Sequence, residues 1–168
     1  MDIKDISNAF NETLIVTETL KNKKAYREQV VKLENQLLQV DGVLTGEELN
    51  KKCPVKHSFA GGCYVREIFT PAEQLIVTKI HKKTHPFFLL EGELSILTEN
   101  GINTIKAPYN GITKPGTKRV IYTHTDCRFI TVHATDKTDI QEIEDEVIAK
   151  NFSDPEISLE DIKKLKNL

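Results

Sequence analysis

The sequence predicts a mainly β domain, a sandwich or barrel of short strands, with helical segments on both sides. Three observations predict it. Residues 55–134 are rich in Val, Ile, Thr, Tyr and Phe and are broken at short intervals by Gly and Pro. Asn100-Gly101 lies between two such runs and is a strong hairpin signal. Outside this region the apolar residues recur at steps of three and four, the spacing of a helix face. Many short strands at close spacing belong to a sandwich or barrel.

Taken in order, residues 1–52 read as a helical extension. Ser7 and Asn11 offer cap chemistry for a first helix around residues 5–21, and Asn22-Lys23-Lys24 separates it from a second. In the second, Tyr26, Val30, Leu33, Leu37 and Val40 form one apolar stripe. Gly42, after Asp41, is the expected stop. The stripe is too short for an autonomous coiled coil. It is expected to bury against its own barrel or against a second subunit, the latter giving a homodimer. Thr45-Gly46-Glu47-Glu48 reads as a capping box opening a short helix.

Residues 53–136 form the β region, with strands expected at 63–69, 74–81, 86–90, 93–98, 102–107, 111–114, 118–123 and 127–134. Residues 137–168 return to helical spacing. Ile140, Ile143 and Val147 line one face, and Ser158-x-x-Asp161 starts a last, Lys-rich helix with a solvated surface.

The bulk properties narrow the function. A chain of 168 residues is one domain with extensions. It buries roughly 70% of its unfolded surface, enough for a core without staples. A formal net charge of −2 without a dominant basic patch argues against sequence-independent nucleic-acid binding. No apolar run of about 18 residues is present, so no membrane span is expected. The N-terminus MDIKDISNAF is acidic and has no apolar signal core, which predicts a cytoplasmic protein. Cys53, Cys63 and Cys127 are odd in number and widely spaced, as expected of reduced thiols.

Residues 73–92, EQLIVTKIHKKTHPFFLLEG, carry the most chemistry. Residues two apart on a strand point the same way, so Lys79 and His81 are expected to share a face. His85 lies beyond the Lys82-Lys83-Thr84 bend and is expected to swing to the same cavity. Two imidazoles suit a divalent transition metal, but a firm site needs more ligands. His133 shares a strand face with Cys127, Phe129 and Thr131 and is the candidate third ligand. His124 reads as a turn residue, and His57 precedes the predicted strands. Tyr64, Tyr109 and Tyr122 combine packing surface with a polar tip. No G-x-S-x-G elbow, Walker loop or His-Glu-x-x-His occurs.

The spacing resembles the cupin superfamily over residues 60–134. The first cupin motif runs Gly, five residues, His-x-His, three or four residues, Glu, six residues, Gly. This chain has Glu73, Lys79-x-His81, His85 and Gly92 at those positions. The second motif runs Pro-x-Gly, two residues, His, three residues, Asn. This chain has Lys114-Pro115-Gly116, then Arg119 and Thr123. The resemblance implies a cupin-type barrel, a double-stranded β-helix or jelly roll, with an N-terminal helical segment and C-terminal helices. It also implies that Lys79 and Arg119 stand where metal ligands would be.

A narrower resemblance, to cupin-like proteins of tailed bacteriophages and prophages, rests on five segments. They are Tyr64-Val65-Arg66-Glu67, Pro71-Ala72, His81 to His85, Lys114 to Arg119 and His133-x-Thr135-Asp136. It implies a source and a fold rather than an activity.

Two functional readings follow. In the first, Lys79, His81, His85 and Arg119, with Tyr64, line a pocket for a small anionic molecule. The Arg fork suits carboxylate or phosphate. In a phage setting this means ligand sequestration in the host cytoplasm, or a virion or assembly component. In the second, His81, His85 and His133 hold Fe, Mn, Ni or Zn in an oxygenase, isomerase or lyase. A structural protein with a vestigial pocket is the third alternative.

Overall fold

The computed structural model describes residues 23–158. The expected first helix and the helix from Ser158-x-x-Asp161 lie outside the described residues. Three helices, α1 (Lys23–Leu37), α2 (Gly46–Lys52) and α3 (Ile140–Val147), flank the strands. The strands are β1 (Val55–Ala60), β2 (Cys63–Thr70), β3 (Leu75–Val77), β4 (Ile80–His81), β5 (His85–Glu91), β6 (Glu93–Thr98), β7 (Gly101–Lys106), β8 (Tyr109–Thr113), β9 (Val120–Thr123), β10 (Cys127–Ala134) and β11 (Ile148–Ala149).

Two antiparallel sheets form the body, ordered β1-β2-β10-β5-β8 and β3-β9-β6-β7. The chain passes repeatedly from one sheet to the other, and only β6 and β7 form a hairpin within the second. With β1 set aside, eight strands divide four and four, the arrangement of a jelly roll. Phe87, Leu89 and Cys127 from one sheet meet Leu94, Ile96, Ile105 and Ile121 from the other in a buried cluster. This apolar filling occupies the middle of the sandwich and leaves the polar inward positions of β5 and β10 toward one end. The fold class is therefore the expected mainly β one.

Several local expectations change. The run 74–81 is not one strand. β3 pairs with β9, whereas β4 pairs with β11. Thr78 and Lys79 break the run because other groups claim their backbone surroundings. Lys118 Nζ donates to the Thr78 carbonyl at 2.8 Å, and the Arg119 amide donates to Thr78 Oγ1 at 2.9 Å.

β1 was not expected; it is an edge strand with a mostly exposed surface, held by its antiparallel pairing to β2. The hairpin turn is Glu99-Asn100, since Thr98 pairs with Gly101. α2 begins after Thr45, but the Thr45 side chain makes no cap bond, so the capping box is not formed. α1 ends at Leu37, five residues before Gly42.

The stripe on α1 lies against the chain's own barrel. Tyr26, Val30 and Leu33 pack with Leu97 and Val120. The Tyr26 hydroxyl lies 3.0 Å from the Leu97 carbonyl and 2.8 Å from the Lys118 carbonyl. The buried Lys118 ammonium meets Glu34 at 2.8 Å. The stripe is thus covered within one chain.

At the other end, Asp139 caps α3 by accepting from the Glu142 amide at 3.0 Å. Ile143 and Val147 pack with Tyr64, and β11 then pairs Ile148 with His81. The C-terminal segment so completes the wall that holds His81.

Candidate functional site

Three histidines meet inside the barrel. His85 opens β5 and is 2% exposed, and His133 near the end of β10 is 4% exposed. The last paired residues of these strands are Thr131 and Phe87. Two residues further along this antiparallel register, His133 falls opposite His85. Their ring centroids are 4.2 Å apart. His81 arrives from β4, clamped by its amide to the Thr117 carbonyl and by its carbonyl to the Gly116 amide. Its ring centroid lies 4.4 Å from His85 and 5.9 Å from His133. One ring nitrogen from each residue lies within 4.8 Å of the others. Two consecutive strand ends and the neighbouring strand therefore bring His81, His85 and His133 together.

The hydrogen bonding of the rings shows what is missing between them. His85 Nδ1 lies 3.1 Å from the Lys83 carbonyl, which only accepts. Nδ1 therefore carries the proton and Nε2 presents a lone pair. His133 Nε2 lies 3.2 Å from Thr131 Oγ1. His85 Nε2, His133 Nδ1 and His81 Nδ1 are all buried without a partner. So is the hydroxyl of Thr113, the residue paired with His85 across β5 and β8. A buried polar group left unpaired costs about 1–3 kcal/mol, so this many in one place need a common partner. A divalent transition metal fits the donor set. Three imidazoles with further positions open are a known catalytic arrangement.

The electrostatics keep these rings neutral, the form that binds metal. Burial pushes His81 down to about 2, helped by His85, His133, Arg119 and Arg66. His133 is pushed down to about 4 by burial, then by His85 and Arg66. His85 is lowered by burial, and Arg119 adds to this, while the bond to the Lys83 carbonyl opposes it.

Arg119 is 8% exposed, and its guanidinium carbon sits 5.0 Å from the centroid of the Phe87 ring. It pairs with neither Glu67 nor Glu73; Glu67 instead meets Arg128 at 3.6 Å. Burial lowers the Arg119 pKa, opposed by Tyr26 and Glu99. Lys79 does not share the face of His81 as expected. With the strand broken at Thr78, its ammonium points outward, its side chain is 60% exposed, and it meets Glu144 at 2.7 Å. Lys79 does not line the pocket.

Tyr64 stacks on His133 with centroids 6.0 Å apart, and its hydroxyl lies 2.7 Å from His57 Nδ1. His57 thus stands behind the site rather than in it. His124 hydrogen-bonds Ser95 at 2.7 Å, away from the three rings. The three cysteines are free thiols and stand outside the histidine cluster.

Arg66 was missed. It shares the inward parity of Tyr64 on β2 and pairs with Thr131, two residues from His133. That parity is legible in Tyr64-Val65-Arg66.

No protein-family model matches the chain, and no curated protein sequence matches it. Among solved structures, it is similar to the cupin domain of Cnp3 from Schizosaccharomyces pombe. The TM-score is 0.44 and the identity 15%, over 62% of this chain and 74% of that one. It is similar to the Cupin_2 domain of an XRE-family transcriptional regulator from Enterobacter cloacae, with a TM-score of 0.43 and 12% identity over 51% of this chain and 99% of that one. It is also similar to an acetylacetone dioxygenase from Acinetobacter johnsonii, with a TM-score of 0.42 and 13% identity over 56% of this chain and 74% of that one. These likenesses reach no further than the fold. No described helix is long and apolar enough to cross a membrane.

Proposed function

We propose that this chain is a cupin-like small-molecule-binding protein whose barrel holds a divalent transition metal and accepts an anionic ligand beside it. His81, His85 and His133 are the metal ligands. The observation that carries this reading is the set of buried, unpartnered ring nitrogens converging in one space. When bound, the metal supplies Lewis acidity and an open position for a ligand oxygen. Fe, Mn, Ni and Zn all suit imidazole donors.

The chain's own groups do the rest. The Lys83 carbonyl orients His85, and the Thr131 hydroxyl steadies His133. Arg119, desolvated and without a carboxylate partner, takes the anionic end of the ligand. Its position over Phe87 keeps the fork in one plane. The phage-type resemblance adds a setting, sequestration of a host metabolite, and the same site serves that role or a metal-dependent reaction.

Elemental analysis of untagged protein purified without chelators tests the reading. The expected result is one equivalent of metal per chain, lost in His85→Ala and in His81→Ala. Sub-stoichiometric metal unaffected by either substitution overturns it.

A further inference from the structure

We infer that the ligand is a small dianion with an oxyacid group at each end, a dicarboxylate in the simplest case, held between Arg119 and Arg66. This rests on the proposed metal and anion site and deepens it.

Two guanidiniums approach the histidines from different sides. Arg119 precedes β9 in the second sheet and lies over Phe87, two residues along β5 from His85. Arg66 belongs to β2 in the first sheet, where it pairs with Thr131, two residues along β10 from His133. Arg119 is therefore placed toward His85 and Arg66 toward His133. Neither arginine makes a hydrogen bond or ion pair with a side chain of the described residues.

Burying an unpaired cation is costly; Arg119 is buried and Arg66 half-buried. Lysines in this protein show the alternative. Lys118 is buried too, but it is matched by Glu34 and the Thr78 carbonyl. The two arginines have no carboxylate in such direct contact, Glu99 and Glu144 acting on them only from beyond ion-pair range, so each fork is left for an anionic group of the ligand. The forks come from different sheets and reach different histidines, so a ligand with one anionic group for each fits them. Each planar fork receives one carboxylate or phosphate edge-on, through two parallel hydrogen bonds in its plane, which sets the class as two-ended. The middle of the ligand would then lie beside His81, His85 and His133, the residues that would hold the metal. The unpartnered Thr113 hydroxyl supplies one further polar contact beside His85.

The test uses full-length, zinc-loaded protein in calorimetric titrations. The probes are straight-chain dicarboxylates from malonate to adipate, monocarboxylates of matching length, and inorganic phosphate. The best dicarboxylate is expected to bind about tenfold or more tightly than its monocarboxylate. Arg66→Met is expected to erase that difference. Arg119→Met is expected to weaken both. Arg66→Lys keeps the charge without the fork and is expected to lose most of the preference, which keeps the test decisive should Arg66→Met fail to fold.

A dicarboxylate preference that survives in Arg66→Lys or Arg66→Met overturns the inference. So does phosphate binding as tightly as any dicarboxylate. Arg119-dependent monocarboxylate binding with no dicarboxylate gain overturns the inference alone. Absence of any Arg119-dependent binding overturns the anion site beneath it as well.

Discussion

His85 Nδ1 lies 3.1 Å from the carbonyl of Lys83, two residues before it in the chain. This short-range bond sets the tautomer of the most buried histidine and leaves its Nε2 with a buried, unpartnered lone pair. An orienting bond of this kind is a usual partner of a metal-ligating imidazole. His85→Ala is therefore expected to reduce zinc affinity by about 100-fold or more. His57→Ala and His124→Ala should leave it unchanged, because neither ring joins the cluster. Competition against a fluorescent zinc chelator measures all three.

The metal-free protein is expected to lose stability in mild acid. Unfolded histidines take up protons near pH 6.5. In the folded chain, His133 does so only near 4 and His81 only near 2. Between these values the unfolded state binds more protons, so stability falls as the pH falls. The contribution is complete above pH 6.5 and declines from there toward pH 4. Urea unfolding in the presence of a chelator at pH 7 and pH 5 checks it, with His133→Phe flattening the difference.

Glu73 has a φ of 60°, in the left-handed region, at the position where the first cupin motif carries glycine. A side chain there is strained, and Glu73→Gly is expected to stabilise the fold by about 0.5–1 kcal/mol. The opposite change is expected at Gly92, where φ is 91° and an added Cβ would collide with the Asp126 carbonyl oxygen and Cys127 Sγ. Gly92→Ala should destabilise by about 3 kcal/mol. Thermal and denaturant unfolding of the two variants give the signs.

The α1 helix is held by a buried polar contact as well as by its stripe. Tyr26→Phe keeps the ring but removes the hydroxyl from the Leu97 and Lys118 carbonyls. A loss of about 2 kcal/mol is expected, since buried carbonyls lose a donor. Zinc binding should be unchanged, because Tyr26 lies on the far side of β9 from the histidines. Equilibrium unfolding and zinc titration of the same variant separate the two effects.

The sequence by itself determined the class of fold, since strand alternation and turn residues are local properties. The bounds of β6 and β10 agree with the expected 93–98 and 127–134. The inward parity of His133 was legible for the same reason, as a residue's face on a continuous strand follows from counting. Counting failed where the strand did not continue. Lys79 was placed beside His81 because the run 74–81 looked unbroken, and only the claims of Lys118 and Arg119 on Thr78 break it. β1 was invisible because an exposed edge strand is held by backbone bonds, which leave no apolar pattern.

The tertiary structure alone decided which groups share the cavity. His81, His85, His133, Arg66 and Arg119 come from five separate places in the chain, and their convergence depends on the register of β2, β5 and β10. It also decided that the α1 stripe is spent on the chain's own barrel. Local sequence sets what each segment is able to form. Long-range pairing sets which side chains are left without partners, and those unpartnered groups define the candidate site.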